Sequence, residues 1–170
     1  GKKIKFPKIL IATAKKNSSK LVEVSDEDKK DAPGYTASMR KEDQANHPWI
    51  TDSVLPIMAA GRAEMVKSDH TLNELVQLVP TPGHTIDHFS VHVGKSGQDA
   101  LITGDMIHSP IQARYPELGM RADYDSKQAG QSRRKVFDRF CDTPTLMCMA
   151  HFPSPSVGRM SRWGDGFKFV

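Results

Sequence analysis

The sequence is short of several features that would each dictate a class of protein. Only two of its 170 residues are cysteine, Cys141 and Cys148, and no CxxC pair exists. A structural zinc knuckle is therefore not expected. Cys148 lies in the apolar run of residues 145–150 and reads as a small buried hydrophobe. No apolar run approaches the roughly 20 residues of a membrane span. The opening Gly-Lys-Lys-Ile-Lys-Phe-Pro has no signal-peptide core and no initiator Met. The chain is expected to be cytoplasmic and to start at a processed end or within a longer reading frame. No large charge imbalance is present: the formal net charge is +4. The basic runs Lys2-Lys3, Lys15-Lys16 and Arg133-Arg134-Lys135 are scattered, and each reads as solvated surface rather than a nucleic-acid patch.

What remains is an ordinary soluble composition, 38% apolar and 26% charged, in a length suited to one domain or much of one. Residues 8–13 form a β-branched apolar run and predict a buried strand. Residues 15–47 are polar and predict a long loop. Residues 48–60 place Ile50, Val54, Ile57 and Met58 at helical spacing, with Thr51 or Asp52 as a cap, Gly61 as a stop and Pro56 as a kink or early break. Short strands are predicted over 63–67, 75–79, 88–93 and 100–103, with Gly94-Lys-Ser-Gly97 as a hairpin turn. Residues 125–139 predict a helix, with Asp125 and Gln128 as a capping box and an apolar face of Ala129, Val136, Phe137 and Phe140. A last strand is predicted over 145–150, and residues 151–170 make a Pro-, Gly- and Ser-rich tail. Strands followed by a helix that returns to a strand indicate a layered α/β domain. The first strands have no evident partner on their N-terminal side.

Three strands each deliver one metal-capable side chain at their C-terminal end. They are His84 in Pro-Thr-Pro-Gly-His, Asp105 in Thr-Gly-Asp, and His151 directly after the last strand. Imidazole and carboxylate suit zinc and related divalent ions. Singly, each has a structural reading as well: a hydrogen-bonded histidine beside a strand, or an Asp in a turn. The His84/His88 spacing also fits a helical ligand pair, but Pro82-Gly83 before it and a strand after it argue against a helix. His88 is read instead as a supporting or structural residue.

Taken together, Pro80-Thr-Pro-Gly-His-Thr-Ile-Asp-His88, Thr103-Gly-Asp-Met-Ile-His108 and Ala150-His-Phe-Pro-Ser-Pro155 closely resemble the second half of the metallo-β-lactamase superfamily. The resemblance runs from about Phe6 to the C-terminus. Asp52-Ser-Val-Leu-Pro56 and Gly-Asp-Met-Ile-His-Ser-Pro-Ile-Gln112 look most like the branch of methyl parathion hydrolase and the N-acyl homoserine lactonases. The resemblance implies a fold that is the C-terminal half of a four-layer αββα sandwich. It implies two divalent metal ions, zinc first and Mn, Fe or Co as alternatives, sharing a hydroxide that attacks a lactone, ester or phosphotriester. His84 would hold one metal, Asp105 would bridge as the catalytic carboxylate, and His151 would hold the other. His108 and Gln112 would lie near the substrate.

Two departures qualify the match. Ile86-Asp87 replaces the usual Pro-Gly between the histidines, which brings an extra carboxylate near the site. The family's H-x-H-x-D-H motif, which supplies the remaining ligands, does not occur, and His47 and His70 are too isolated to replace it. The domain over 1–170 is therefore expected to be incomplete, inactive alone, and to leave an apolar sheet face open to a complementing N-terminal half or a second copy. Its partners are expected to be a small ester, lactone or organophosphate, with neither nucleic acid nor membrane. Two other readings stay open: a binding or scaffold domain that has lost catalysis, and a nucleic-acid-processing member of the superfamily.

Overall fold

The computed structural model describes residues 9–12, 52 and 55–170, and the chain divides into two compact units, residues 1–67 and 68–170. In the first unit, β1 (Ile9–Ala12) pairs in parallel with β2 (Ala63–Val66), Ile9 opposite Ala63. The helix predicted over 48–60 is observed as α1 (Leu55–Ala59); Ile50, Thr51 and Val54 lie outside the described residues. Pro56 occupies the first turn, where its missing N–H breaks no bond, so it opens the helix instead of kinking it. Gly61 ends it at φ +64°, and the Arg62 N–H reaches back to the Ile57 carbonyl at 3.1 Å, a Schellman closure. The loop predicted over 15–47 lies outside the described residues.

The second unit is a six-stranded sheet in the order of its strands along the chain: β3 (Thr71–Asn73), β4 (Val76–Pro80), β5 (Phe89–Lys95), β6 (Gln98–Ile102), β7 (Leu146–Cys148) and β8 (Val157–Gly158). All pairs are antiparallel except β6–β7, which is parallel and joined by a long crossover. The crossover carries a 3-10 turn (Gly104–Met106), the short helix α2 (Ile111–Arg114) and the long helix α3 (Ser126–Phe140). The β5–β6 hairpin turns on Ser96 and Gly97, with Lys95 opposite Gln98 and Gly97 at φ +88°.

Pairing fixes which side chains share a face. Leu101 and Met147 are opposite one another and fully buried, and they join Val79 and α3's Val136, Phe137 and Phe140 in one core. The opposite face is also apolar: Val91 opposes Ile102, Ala100 opposes Leu146 and Cys148 opposes Val157. On it Ile102, Leu146 and Val157 are exposed.

One expectation is corrected. Arg133, read as part of a solvated basic run, is completely buried. Helical periodicity places it between Ala129 and Val136–Phe137 on the inward stripe, where its guanidinium donates to three carbonyls and its charge faces the buried Asp123 carboxylate. Its neighbour Arg134 pairs with Glu117. The Pro-, Gly- and Ser-rich tail carries strands as well: besides β8 it forms a hairpin of β9 (Met160–Trp163) and β10 (Gly166–Phe169). These strands are two to four residues long, and Arg162 and Lys168 dilute their alternation, so composition conceals them. Met160 and Phe167 nonetheless bury fully in the core.

Candidate metal centre

The three expected ligands sit at one end of the sheet, on loops that α3 and β7 pin in place. His84 lies in the β4–β5 turn. Gly83 precedes it at φ +133°, and a Cβ there would fall 2.1 Å from the Ala129 backbone nitrogen. Only glycine allows this loop to touch the helix. The contact is sealed by Ser132 Oγ donating to the Pro82 carbonyl (2.6 Å) and by the Asp125 N–H donating to the Gly83 carbonyl (2.9 Å). The expected capping box is thus half formed. Asp125 Oδ1 accepts from the Gln128 N–H at 2.9 Å, but Asp125's own N–H serves the His84 loop. Asp105 follows β6 in the 3-10 turn, where Gly104 has φ +55°. The Thr103 N–H and hydroxyl both donate to the Cys148 carbonyl, at 3.0 and 3.1 Å, which ties this loop to the strand that leads to His151.

The Asp105 carboxylate stands between two imidazoles. Its Oδ1 accepts from His151 Nε2 at 2.8 Å, and its Oδ2 lies 3.5 Å from His84 Nε2. The His108 ring fills the space beside them, stacked on His151 with centroids 4.4 Å apart and 4.9 Å from His84. His84, Asp105 and His108 each offer a ligand atom within 4.8 Å of the others. Burial pushes the Asp105 carboxyl up, but the His151 hydrogen bond and the nearby His84 and His108 outweigh it and hold the group below its usual range. His108 is lowered, first by burial and then by His151 and His84.

The surrounding residues have distinct tasks. His88 Nδ1 bonds the Thr81 hydroxyl at 2.7 Å, while its Nε2 accepts from the Asp105 N–H at 3.1 Å. Both ring nitrogens are thus committed, and His88 braces the Asp105 backbone. Burial, then His84, lowers its pKa and favours the neutral ring this arrangement needs. Gln112 is buried; its Oε1 accepts from the His108 N–H and its Nε2 donates to the Leu118 carbonyl, so its amide shapes the His108 loop. Asp87 is partly buried in the turn between His84 and His88.

Sequence reasoning missed Asp123. Its side chain is fully buried, its Oδ1 lies 3.2 Å from His84 Nδ1, and its Oδ2 accepts from the Met120 N–H at 2.9 Å. It stands 39 positions from His84, and a carboxylate two residues before a helix cap carries no signal that separates it from Asp125.

These contacts test whether a divalent cation fits. A carboxylate accepts and cannot donate, so Nδ1 of a neutral His84 carries the proton and Nε2 presents a lone pair to Asp105 Oδ2. In that state two acceptors face each other at 3.5 Å, a gap that a divalent cation would bridge. Tetrahedral ligands at about 2.0–2.1 Å from zinc lie about 3.3 Å from one another. His108 Nδ1 is also buried with no hydrogen-bond partner among the described residues. The donor set fits a divalent ion, with Asp123 in the usual role of a carboxylate that orients a ligating histidine.

A family model described as the metallo-beta-lactamase superfamily matches residues 7–151. The chain belongs to this superfamily. Members of the superfamily typically bind divalent metals. Among solved structures, the chain is similar to the hydrolase AbOPH of the beta lactamase superfamily (TM-score 0.67, 27% identity, 82% of this chain and 50% of that one). It is also similar to AidC, a dizinc quorum-quenching lactonase (TM-score 0.64, 21% identity, 94% and 53%). No curated protein matches. The chain spans about half the length of these two structures, and its mixed α/β architecture is that of part of the metallo-β-lactamase fold.

Proposed function

We propose that this chain carries half of the centre of a metal-dependent hydrolase that opens lactones or esters, with phosphotriesters as the next substrate class. The observation that carries this reading is the Asp105 carboxylate, which turns one oxygen to His84 and the other to His151. Such a carboxylate is placed to be shared by two ions, most simply zinc. His84 with Asp105 would hold one, and Asp105 with His151 the other. Bound divalent ions supply Lewis acidity and make water a nucleophile at neutral pH.

The chain's own residues do the positioning. Asp123 keeps the His84 proton on Nδ1 and leaves Nε2 free. His88 holds the Asp105 peptide, and Gln112 holds the loop of His108. His108 stands between the two ligating histidines, its ring against both, which places it beside the reacting groups. The likeness to a hydrolase of this superfamily supports hydrolysis, and the likeness in fold to a lactonase is the reason lactones are placed first.

In this reading residues 1–170 are an incomplete domain. A catalytic zinc site takes three protein ligands per ion, and this half offers one exclusive ligand to each ion and one shared. The H-x-H-x-D-H motif that would add the others is absent from the sequence. The apolar sheet face with Ile102, Leu146 and Val157 would receive the complementing half. The test is hydrolysis of a homoserine lactone, an aryl ester and a phosphotriester. The chain alone should be inactive, and a form that includes the motif should be active and lose activity to a chelator. Chelator-sensitive hydrolysis by the 170-residue chain would refute the incompleteness. A motif-containing form inert on all three substrates would refute the reaction class.

A further inference from the structure

We propose that Arg133 is a positioning residue for the metal centre: its buried guanidinium sets the Asp123 carboxylate that orients His84 and, with the same fork, the carbonyl of Met106, the residue after Asp105. The inference rests on the metal reading above and adds a device outside the ligand set.

Arg133 is fully buried, and three of its five N–H donors are engaged by backbone carbonyls. Nε donates to the Pro116 carbonyl at 2.7 Å, Nη1 to Met106 at 3.1 Å and Nη2 to Leu118 at 2.9 Å. Three neutral carbonyls do not balance a buried positive charge. The charge is balanced by Asp123, whose Oδ2 lies 3.9 Å from Nη1 and whose side chain, like that of Arg133, is wholly shielded from solvent. The two charges therefore fix one another where neither can turn to water.

Three of these four contacts lead to the centre, each by a different route. Met106 is the residue after Asp105, so the Nη1 bond restrains the turn that aims the bridging carboxylate. Leu118 also accepts from Gln112, whose other end holds the His108 N–H. Asp123 reaches His84 Nδ1 directly. One planar fork thus joins the loops of His84, Asp105 and His108 to the middle of α3. A lysine cannot do the same, because a single ammonium cannot span three carbonyls and a carboxylate in one plane.

The test compares the 170-residue chain with its Arg133→Met, Arg133→Lys and Phe137→Leu variants. Two readouts are used: the imidazole tautomer of His84 by long-range proton–nitrogen NMR at a pH where the ring is neutral, and Co(II) affinity. The wild type should show the Nδ1–H tautomer. Arg133→Met should give a mixture and weaken Co(II) by about 10–100-fold, the usual cost of losing support behind a ligand. Phe137→Leu lies on the same helix face and reports destabilisation alone, so it should keep both the tautomer and the affinity. If Arg133→Met does not fold, Arg133→Lys decides, with a mixed tautomer and weakened binding expected. A folded Arg133 variant that keeps the wild-type tautomer and Co(II) affinity overturns the proposal. A wild type that binds no Co(II) overturns the metal reading, while the tautomer comparison still decides the role of Arg133.

Discussion

Replacing Gly83 by alanine separates packing from backbone strain, because a second glycine provides the control. Gly83 sits at φ +133°, and its missing Cβ leaves room for the Ala129 backbone, whose N and Cα would lie 2.1 and 2.3 Å away. These are backbone atoms in the first turn of a 15-residue helix, so no side-chain rotation relieves the clash. Gly97 in the β5–β6 turn also has positive φ, +88°, but has nothing within 4 Å of the Cβ position. Gly97→Ala should therefore cost only left-handed strain, about 1–2 kcal/mol. Gly83→Ala should cost about 1–3 kcal/mol of strain and about 1–3 kcal/mol more for forcing the loop from α3. Against a typical domain stability of about 5–15 kcal/mol, the larger sum is a severe loss. In urea, with a slope of about 1–3 kcal/mol per molar, the two midpoints should differ by about 1 M. Far-UV circular dichroism reads both. Equal destabilisation by the two substitutions would refute the packing of the His84 loop on the helix.

Further outcomes follow from the same contacts. Phe137→Ala removes a fully buried ring from the core and should cost about 3–5 kcal/mol in denaturant unfolding. Asp99 is raised by burial, but hydrogen bonds from His92 (2.6 Å) and Thr145 (2.9 Å) outweigh this and leave its carboxyl below the usual value. Its contribution should be complete above its unfolded pKa of about 4 and be lost as pH falls through the lower folded value. Asp99→Asn should therefore flatten the acid limb of a stability–pH profile, and an unchanged limb would count against the pairing. Ile102→Lys and Leu146→Lys, on the exposed apolar face, should shift stability by no more than about 0.5 kcal/mol and reduce self-association in sedimentation.

The sequence was most legible where a local rule dictates the structure. The hairpin at Gly94-Lys-Ser-Gly97, the cap at Asp125 and the apolar stripe of α3 each depend on neighbours in the chain, and each appears in its expected place. His84, Asp105 and His151 were found because each follows a strand, and parallel and antiparallel pairing in one sheet gathers those ends. Asp123 and Arg133 were not legible. Their importance comes from contacts 39 and 27 positions away, with His84 and Met106. Nothing near Arg133 in the sequence tells it from the surface arginine beside it, except its phase on the helix. The strands of the tail were hidden for a related reason: two to four residues are too few to establish an alternation.

The central claim is that His84, Asp105 and His151 hold divalent metal as half of a shared centre, and calorimetric titration of the 170-residue chain with Zn(II) tests it most directly. Saturable but weak binding is predicted, loosened at least about tenfold, or about 1.4 kcal/mol, by Asp105→Asn. Absence of binding, or binding indifferent to Asp105, His84 and His151, would contradict the account.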